Sequence, residues 1–431
     1  MQTFKLTWYT IPQFESAVPK NLFHKEQEPP EITADTLMKT DALMKEDTPK
    51  NLHVLARAEI EVKKEDAQSC LLDITADDYY KLYVNGRFAG QGPAPAFSER
   101  YYYNTIELAP FLREGKNVLA VHLYYQGLIN RVWNSGDGRF AMAAEIRQYQ
   151  KPLEWKYQVS AAYSGETTGY DTQYLENFVS RLWEDGWSEI NFDARSWDRM
   201  VPAAWADYTL FHQPVKMLSV YETAPKTIIK EGEGHWVIDA GQEVTGALLL
   251  TAKGKSGSRV TILYGEELDG GAFSYGGDSA RVRFRMRCGC TYREEWTLAE
   301  GISSYIPYDY KGFRYAEIFT EEPVELCSIR IQIRHYPMDE DACILRTGTP
   351  CLEDIFQICR QAVKLGTQEG YLDCPTREKG QYLGDAVITS RAQSCGPLQM
   401  SRIPRPGRRA PMRISCLYMI WRTAAIPRTV R

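Results

Sequence analysis

The sequence lacks any run of about 18 apolar residues, the length that a helix needs to cross a lipid bilayer. Its opening, Met-Gln-Thr-Phe-Lys-Leu-Thr-Trp, also lacks the uninterrupted apolar core of a secretory signal peptide. We therefore expect no transmembrane segment and no membrane partner. The same two absences predict a cytoplasmic protein.

Cysteine is scarce, because ten cysteines in 431 residues are too few and too irregularly spaced for a disulfide framework. The closest pair, Cys288 and Cys290, has one spacer residue where zinc sites use two or more, and strand-like neighbours would point both thiols to one side. The six histidines include no pair within one helical turn. We expect no metal site and no required cofactor. A structural calcium ion is allowed but not indicated by any motif, and the oligomeric state stays open.

Residues 391–431 contain no Lys, Asp or Glu, yet they hold nine arginines. Because the whole chain has a formal charge of −5, removing that +9 leaves residues 1–390 with −14. An acidic body of this kind argues against a nucleic-acid partner. The atypical Arg/Pro-rich tail is interpreted as an out-of-frame or mis-assembled translation, with a genuine basic tail as the alternative.

The composition, 44% hydrophobic and 25% charged, is that of a globular protein with more than one domain. Residues 54–62 alternate apolar and polar side chains, which predicts a half-buried strand. Asn85-Gly86 predicts a tight hairpin turn, and residues 117–125 predict a buried strand. After an N-terminal extension and first strand (residues 1–53), we expect an antiparallel, jelly-roll-like β-sandwich over residues 54–215.

A second antiparallel, jelly-roll-like β-sandwich is predicted over residues 216–340, with strands at 247–251, 259–264 and 313–319. The period of the pattern then changes. A helical stripe begins after Thr349, a candidate cap, and Pro350, a residue suited to the first helical position. The stripe consists of Leu352, Ile355, Phe356, Cys359 and Val363. We expect this helix to stop near Gly366 and to open a helical domain over residues 341–390.

Three carboxylates, Asp373, Glu378 and Asp385, lie in one segment that Pro375 prevents from forming a single helix. A loop can aim all three into one cleft, where carboxylates accept bonds from sugar hydroxyls and one buried acid can serve as a proton donor. Tyr371 or Tyr382 can cover an apolar sugar face, and Arg377 and Lys379 can offset the charge of Glu378. The alternative is a solvated loop in which Asp385 merely caps the next helix.

This segment resembles the Asp-Cys-Pro-x-Arg-Glu…Gly-Asp-Ala signature of the α-L-rhamnosidases, glycoside hydrolase family 78. The positions that match it are Asp373, Cys374, Pro375, Arg377, Glu378, Gly384, Asp385 and Ala386. Tyr382 stands where the family often has Trp. Upstream, residues 82–86 and 117–121 resemble the family's first β-sandwich, and residues 239–246, 264–268 and 310–315 resemble its second.

The resemblance implies hydrolysis of terminal α-L-rhamnosyl residues from rhamnose-containing glycosides, with inversion at the anomeric carbon. Glu378 would be the general acid, and Asp373 and Asp385 would bind rhamnose hydroxyls and tune that acid. Arg377 and Tyr382 would contact the substrate as well. The catalytic domain would be an (α/α)6 barrel whose start is residues 341–390. Since the family's catalytic base is a Glu in a later helix, we expect a truncated chain with little or no activity.

The alternative is a β-sandwich protein that binds carbohydrate without catalysis. By residue type the candidates are Trp133, Asn134, Asp137 and Trp183, although most such aromatic residues belong to cores. A nucleotide site is not supported, because Gly254-Lys255-Ser256 lacks the P-loop glycine five positions earlier.

Overall fold

The structure, a computed structural model, describes residues 6–15, 50–96, 100–128, 140–147, 149, 152–169, 172–203, 209–269, 274–275, 278–279, 281–339 and 344–394. Trp133, Asn134 and Asp137 lie outside the described residues, as does the tail from residue 395 onward. Within the described parts, no helix is long and apolar enough to span a membrane.

Strands dominate the described chain, which contains 24 of them and two α-helices. The first twelve strands are β1 (Trp8–Thr10), β2 (Leu52–Val62), β3 (Leu71–Asp77), β4 (Tyr79–Val84), β5 (Arg87–Gly92), β6 (Tyr101–Glu107), β7 (Gly115–Tyr125), β8 (Ala141–Ile146), β9 (Lys156–Ser160), β10 (Tyr163–Ser164), β11 (Asn177–Val179) and β12 (Asp198–Arg199). The others are β13 (Val201–Pro202), β14 (Leu210–His212), β15 (Ser219–Thr223), β16 (Thr227–Gly232), β17 (His235–Gly254), β18 (Arg259–Gly265), β19 (Ser274–Tyr275), β20 (Asp278–Ser279), β21 (Arg293–Thr297), β22 (Gly301–Tyr305), β23 (Lys311–Thr320) and β24 (Glu325–His335). The helices are α1 (Pro350–Leu365) and α2 (Leu383–Ser394).

The first β block is a sandwich of two six-stranded sheets, ordered β13-β1-β8-β3-β6-β14 and β12-β9-β2-β7-β4-β5. Buried side chains from both sheets form one core between them, for example Leu72 and Met142 against Val54 and Leu82. The predicted hairpin is confirmed, because Asn85 and Gly86 link β4 to β5 with φ angles of 51° and 81°. In an L-residue chain such angles favour Asn and Gly.

Strand β2 corrects one prediction, because it is buried on nearly all sides instead of half-buried. Its outward residue Arg57 is covered and donates hydrogen bonds from its guanidinium to the carbonyl oxygens of Trp187 and Glu189. A loop from more than 120 residues away therefore covers this face. The alternating pattern indicated the strand correctly, but pattern alone does not reveal what packs on its polar side.

The second β block is one continuous ten-stranded sheet, with the path β10-β11-β21-β18-β23-β17-β24-β15 and with β16 and β22 also paired to β17. Strand β17 joins these strands into one sheet, because it pairs with β16, β22, β23 and β24 along its length. Its register against β23 shifts between Asp239 and Val244. Strands β10 and β11 fall inside the stretch predicted as the first domain, yet they extend this second sheet. The chain thus crosses between the sheets more than once.

Two buried histidines lie at the junction of the two blocks. His53 Nδ1 and His122 Nε2 are 3.0 Å apart, and His53 stacks on Tyr163 with 4.0 Å between ring centroids. The ring of Tyr308 packs edge-on against His122, and Lys81 Nζ lies 4.5 Å from the Tyr308 centroid. Burial lowers the pKa of both histidines well below the ordinary value, and the charge of Lys81 adds to that effect.

We expect this junction to make the fold sensitive to acid. A histidine with a depressed pKa in the folded state stays neutral there while the unfolded chain gains a proton below pH ~6.5. Stability is therefore complete above that pH and falls as the pH decreases, by up to ~1.4 kcal/mol per pH unit for each such histidine. Denaturant titrations at pH 7.0 and 5.5 measure the loss.

The matched comparison is between two variants at the same two pH values. The double variant His53→Gln/His122→Gln should lose less free energy of unfolding between them than the unsubstituted protein. The variant His212→Gln, at an exposed position, should behave like the unsubstituted protein. Equal losses in all three proteins would show that the buried pair carries no acid sensitivity.

Helix α1 begins at Pro350 and ends at Leu365 before Gly366, as the sequence predicts. Thr349 makes no side-chain cap; instead, Glu353 accepts the backbone N–H groups of Thr347 and Gly348. The apolar stripe is only partly buried in the described chain. Leu352 and Ile355 are half exposed, whereas Phe356 and Val363 are half-buried. The helix has formed, but the described chain covers its apolar face only in part.

Candidate active site

The loop between the two helices carries the predicted acid. Its ends are tied together, because the Asp373 backbone N–H donates to the Gly380 carbonyl at 2.9 Å and the Gly380 N–H donates to Asp373 Oδ1 at 2.8 Å. Cys374 Sγ lies 3.2 Å from the other Asp373 oxygen. The Asp373 carboxylate thus closes the loop that presents residues 374–379. We refer to residues 373–380 as the acid loop.

Glu378 is the partly shielded carboxylate of this loop, with a side chain 16% exposed. Its Oε1 is 2.9 Å from the Arg377 guanidinium, and its other oxygen accepts a short hydrogen bond from the Tyr382 hydroxyl. Three of the predicted site residues are therefore in direct contact. The arrangement orients one carboxyl group and leaves it accessible, as proton transfer to a bound molecule requires.

Lys379 corrects a further prediction, because it does not lie beside the carboxylate of Glu378. Its side chain is 1% exposed and points into the second sheet, where Nζ donates to Gln173 Oε1 at 2.6 Å and to the Tyr310 carbonyl at 2.7 Å. Arg377 alone of the two cations contacts Glu378 in the manner expected. Sequence adjacency did not reveal that neighbouring side chains face opposite ways.

Asp385 lies in the first turn of α2, where a negative charge is favoured by the helix dipole. Helix α2 begins just after Tyr382, whose carbonyl accepts the Ala386 N–H at 2.9 Å. Asp385 is thus the third residue of the helix and lies inside its first turn, not at the cap position that the alternative interpretation gave it. Its predicted contact with sugar stays a prediction.

One carboxyl group of the second β block contacts the acid loop and another lies near the first, although sequence reasoning selected neither. Glu266 Oε1 accepts the Thr376 hydroxyl at 2.5 Å. Burial, together with the nearby charge of Glu266, raises the pKa of Glu243 to about 8. More than a hundred residues separate each from the loop, so no local spacing could have paired them. The only sequence signal is their place in motifs 239–246 and 264–268, which resemble the family's second β domain.

A network of buried charges lies beneath the acid loop. Lys311 Nζ is 2.9 Å from Glu176 Oε2 and 3.0 Å from Glu294 Oε1, and all three side chains are buried. Asp309 is 3.8 Å from Arg334 and 3.9 Å from Lys379. Burial opposes ionisation of Asp309, yet Lys379 and Arg334 hold its pKa below the ordinary value. Charges of opposite sign compensate one another here, as buried ions must.

Other candidates named from the sequence have structural explanations. Trp183 packs against the rings of His122, Tyr163 and Phe178, so it belongs to the junction of the two β blocks. Cys288 and Cys290 flank a turn at Gly289, whose φ is 90°, instead of continuing a strand. Among the described residues, no group of three or more His, Cys, Asp or Glu side chains is arranged to hold a metal ion.

Comparison with known proteins finds matches among the α-L-rhamnosidases. Residues 229–332 match the family model of the bacterial α-L-rhamnosidase concanavalin-like domain. An α-L-rhamnosidase of Formosa agariphila is 24% identical over 340 residues, which cover 72% of this chain and 34% of that protein. One of Streptomyces avermitilis is 24% identical over 286 residues, covering 61% of this chain and 26% of that protein. The chain thus spans at most about a third of the curated relatives it matches.

Solved structures show the same fold. The family 78 rhamnosidase of Bacillus sp. GL1 has a TM-score of 0.70 over 90% of this chain and 61% of its own, at 13% identity. The Streptomyces avermitilis α-L-rhamnosidase complexed with L-rhamnose has a TM-score of 0.59 over 77% of this chain and 33% of its own, at 21% identity. The sequence and fold comparisons thus find the same group of proteins: the chain is similar to α-L-rhamnosidases, and residues 229–332 match the model of their bacterial concanavalin-like domain.

Proposed function

We propose that this chain provides the β domains and the acid loop of an α-L-rhamnosidase that inverts configuration. The substrates would be glycosides with a terminal α-L-rhamnosyl residue. The observation that carries the proposal is the contact of Glu378 with both Arg377 and Tyr382, on a loop with the rhamnosidase signature. Homologues that are α-L-rhamnosidases support the substrate class. The hydrolysis itself requires water and carboxyl groups, so we propose no cofactor.

In this mechanism Glu378, in its protonated form, donates its proton to the glycosidic oxygen as the bond to the rhamnosyl carbon breaks. The Tyr382 hydroxyl and the Arg377 guanidinium hold the carboxyl group in place and stabilise the carboxylate that results. Inversion also requires a second carboxylate that activates water from the opposite face, across a gap of about 6.5–9.5 Å. By the family resemblance that base would be a Glu in a later helix, so we propose that this chain alone turns over little or no substrate.

We propose further that α1 and α2 are the first helices of a helical catalytic domain, the start of an (α/α)6 barrel. Their exposed apolar side chains support this proposal. An apolar helix face is unfavourable in water, and in globular proteins another element normally packs against it. The residues concerned are Leu352, Ile355, Ile358, Leu383 and Ile388.

The carbohydrate-binding alternative has less support. Of its four candidates, Trp183 is packed among other rings, and Trp133, Asn134 and Asp137 lie outside the described residues. No observation on the described chain favours binding without catalysis, so we do not propose it as a second function.

The test is hydrolysis of 4-nitrophenyl α-L-rhamnoside by the full open reading frame that contains this sequence. We expect release of 4-nitrophenol, with none from the α-D-mannoside analogue, and proton NMR should detect β-L-rhamnose as the first product. The 431-residue chain serves as the comparison and should release little or none. Formation of α-L-rhamnose first would overturn the inverting mechanism, and the absence of cleavage by the full frame would overturn the function.

A further inference from the structure

The acid loop is attached to the second sheet on one side and presents its carboxylate on the other. Thr376 is buried; its hydroxyl donates to Glu266 at 2.5 Å, and its carbonyl accepts the Tyr292 hydroxyl at 2.5 Å. The Arg377 carbonyl accepts the Thr172 hydroxyl at 2.7 Å. The Glu378 side chain contacts Arg377 and Tyr382, which belong to the loop and its continuation. The loop thus has a docked face and an accessible face.

Lys379 is the deepest part of the docked face. Besides its bonds to Gln173 and Tyr310, its ammonium group lies 3.8 Å from the centroid of the Tyr310 ring and 3.9 Å from Asp309 Oδ2. A cation over an aromatic face and beside a carboxylate is attracted to both. The site therefore offers acceptors, a ring and a counter-charge to one lysine side chain.

The backbone at Lys379 is also unusual. Its φ is +52°, a left-handed conformation that side-chain-bearing residues other than Asn and Asp rarely adopt, and Gly380 follows it. Such a conformation persists only when the surroundings favour it. Here the turn at residue 379 reverses the direction of successive side chains, so that Lys379 enters the sheet while Glu378 faces Tyr382.

The sheet surface is shaped to accept the loop. Gly312 of β23 lies so close to it that an added Cβ would come within 2.6 Å of Thr376 Oγ1 and 3.2 Å of the Pro375 ring. Cys290 lies against the same segment, with Sγ 3.8 Å from the Thr376 carbonyl. The docked loop therefore covers this thiol, and the reactivity of the thiol indicates whether the loop is docked.

We propose that Lys379 is a positioning residue, which ties the acid loop to the second sheet and thereby sets the orientation of Glu378. This inference rests on the proposed function in that Glu378 is the acid. It adds that the second β domain is part of the catalytic machinery, because its surface holds the acid in place. Without that tie, the loop would be free to leave the sheet and Glu378 would lose its fixed direction.

The first test substitutes Lys379→Met, which keeps the length of the side chain and removes its donors and charge. Native protein is alkylated with iodoacetamide, and peptide mass spectrometry gives the rate at each cysteine. Labelling of Cys290 should rise by about tenfold or more, since the loop lies over this thiol and burial raises the pKa of the thiol to about 12. Cys351 and Cys359, which are exposed on α1, should label at unchanged rates.

Two further variants keep this test decisive. Lys253→Met, at an exposed position of β17, should leave every labelling rate unchanged. Gln173→Met removes an acceptor from the sheet side without altering the loop sequence, and should raise Cys290 labelling by a smaller factor. It serves in place of Lys379→Met if that variant fails to fold. Unchanged Cys290 labelling in the folded variants would overturn the proposed tie.

The second test asks whether Lys379 orients Glu378 for catalysis or only stabilises the loop. In the full open reading frame, Lys379→Met should lower kcat by about tenfold or more while KM changes by less than about threefold, because ground-state sugar contacts remain and proton transfer is misdirected. Raised Cys290 labelling with unaltered kcat would overturn the positioning role. If the full frame has no rhamnosidase activity at all, the proposed function fails, whereas the labelling result still decides whether Lys379 holds the loop.

Discussion

Replacing Lys311 with methionine is expected to lower the free energy of unfolding by about 3–5 kcal/mol, because it leaves two buried carboxylates without their shared cation. Lys311 is completely buried between Glu176 and Glu294. Burial alone would lower the pKa of this lysine, but the two glutamates overcome that effect and hold the pKa above its ordinary value. Because methionine fills a similar volume, the loss of free energy of unfolding comes from the missing charge and not from a cavity.

Chemical denaturation monitored by tryptophan fluorescence measures the change. The double variant Lys311→Met/Glu294→Gln should recover part of the loss, since it removes one of the two charges that methionine leaves unpaired. Lys116→Met is the matched control: it breaks a 3.0 Å ion pair with Glu59 in which both side chains are about half exposed. That control should cost no more than about 1 kcal/mol. Similar losses for Lys311→Met and Lys116→Met would refute the buried network as a major source of stability.

Glu378→Gln in the full open reading frame is expected to reduce kcat by about 10²–10⁴-fold, because glutamine cannot donate the proton that the leaving oxygen needs. Its amide preserves the size of the side chain and can still accept a bond from Tyr382. The reduction should be larger for an alkyl rhamnoside than for the 4-nitrophenyl rhamnoside, because nitrophenolate leaves with little assistance from an acid. Steady-state kinetics on both substrates measures this difference.

The control for this prediction is Glu321→Gln, which makes the same chemical change at an exposed turn between β23 and β24. Its kcat should equal that of the unsubstituted enzyme, and thermal melting should show that both variants are folded. Undiminished cleavage of the alkyl rhamnoside by Glu378→Gln would end the assignment of this residue as the acid.

Much of the candidate site could be found in the sequence because its residues are neighbours in the chain. The signature around Asp373, Glu378 and Asp385 lies in one short segment, and Tyr382 follows within one turn of Glu378. The structure brings Arg377, Glu378 and Tyr382 together as a segment of this length allows. The carboxyl group of Glu266 could not be found in that way, because its approach to Thr376 depends on how the second sheet folds.

By itself the sequence determined the local features: the hairpin at Asn85-Gly86, the buried strand β7, and the start of α1 at Pro350 and its end before Gly366. Each depends on backbone preferences of a few adjacent residues, which a linear pattern records. Only the tertiary structure decided the rest. The passage of β10 and β11 into the second sheet, the pairing of His53 with His122 and the burial of Lys379 all join distant residues. Such contacts depend on which surfaces meet when the sheets pack, and no spacing along the chain specifies that.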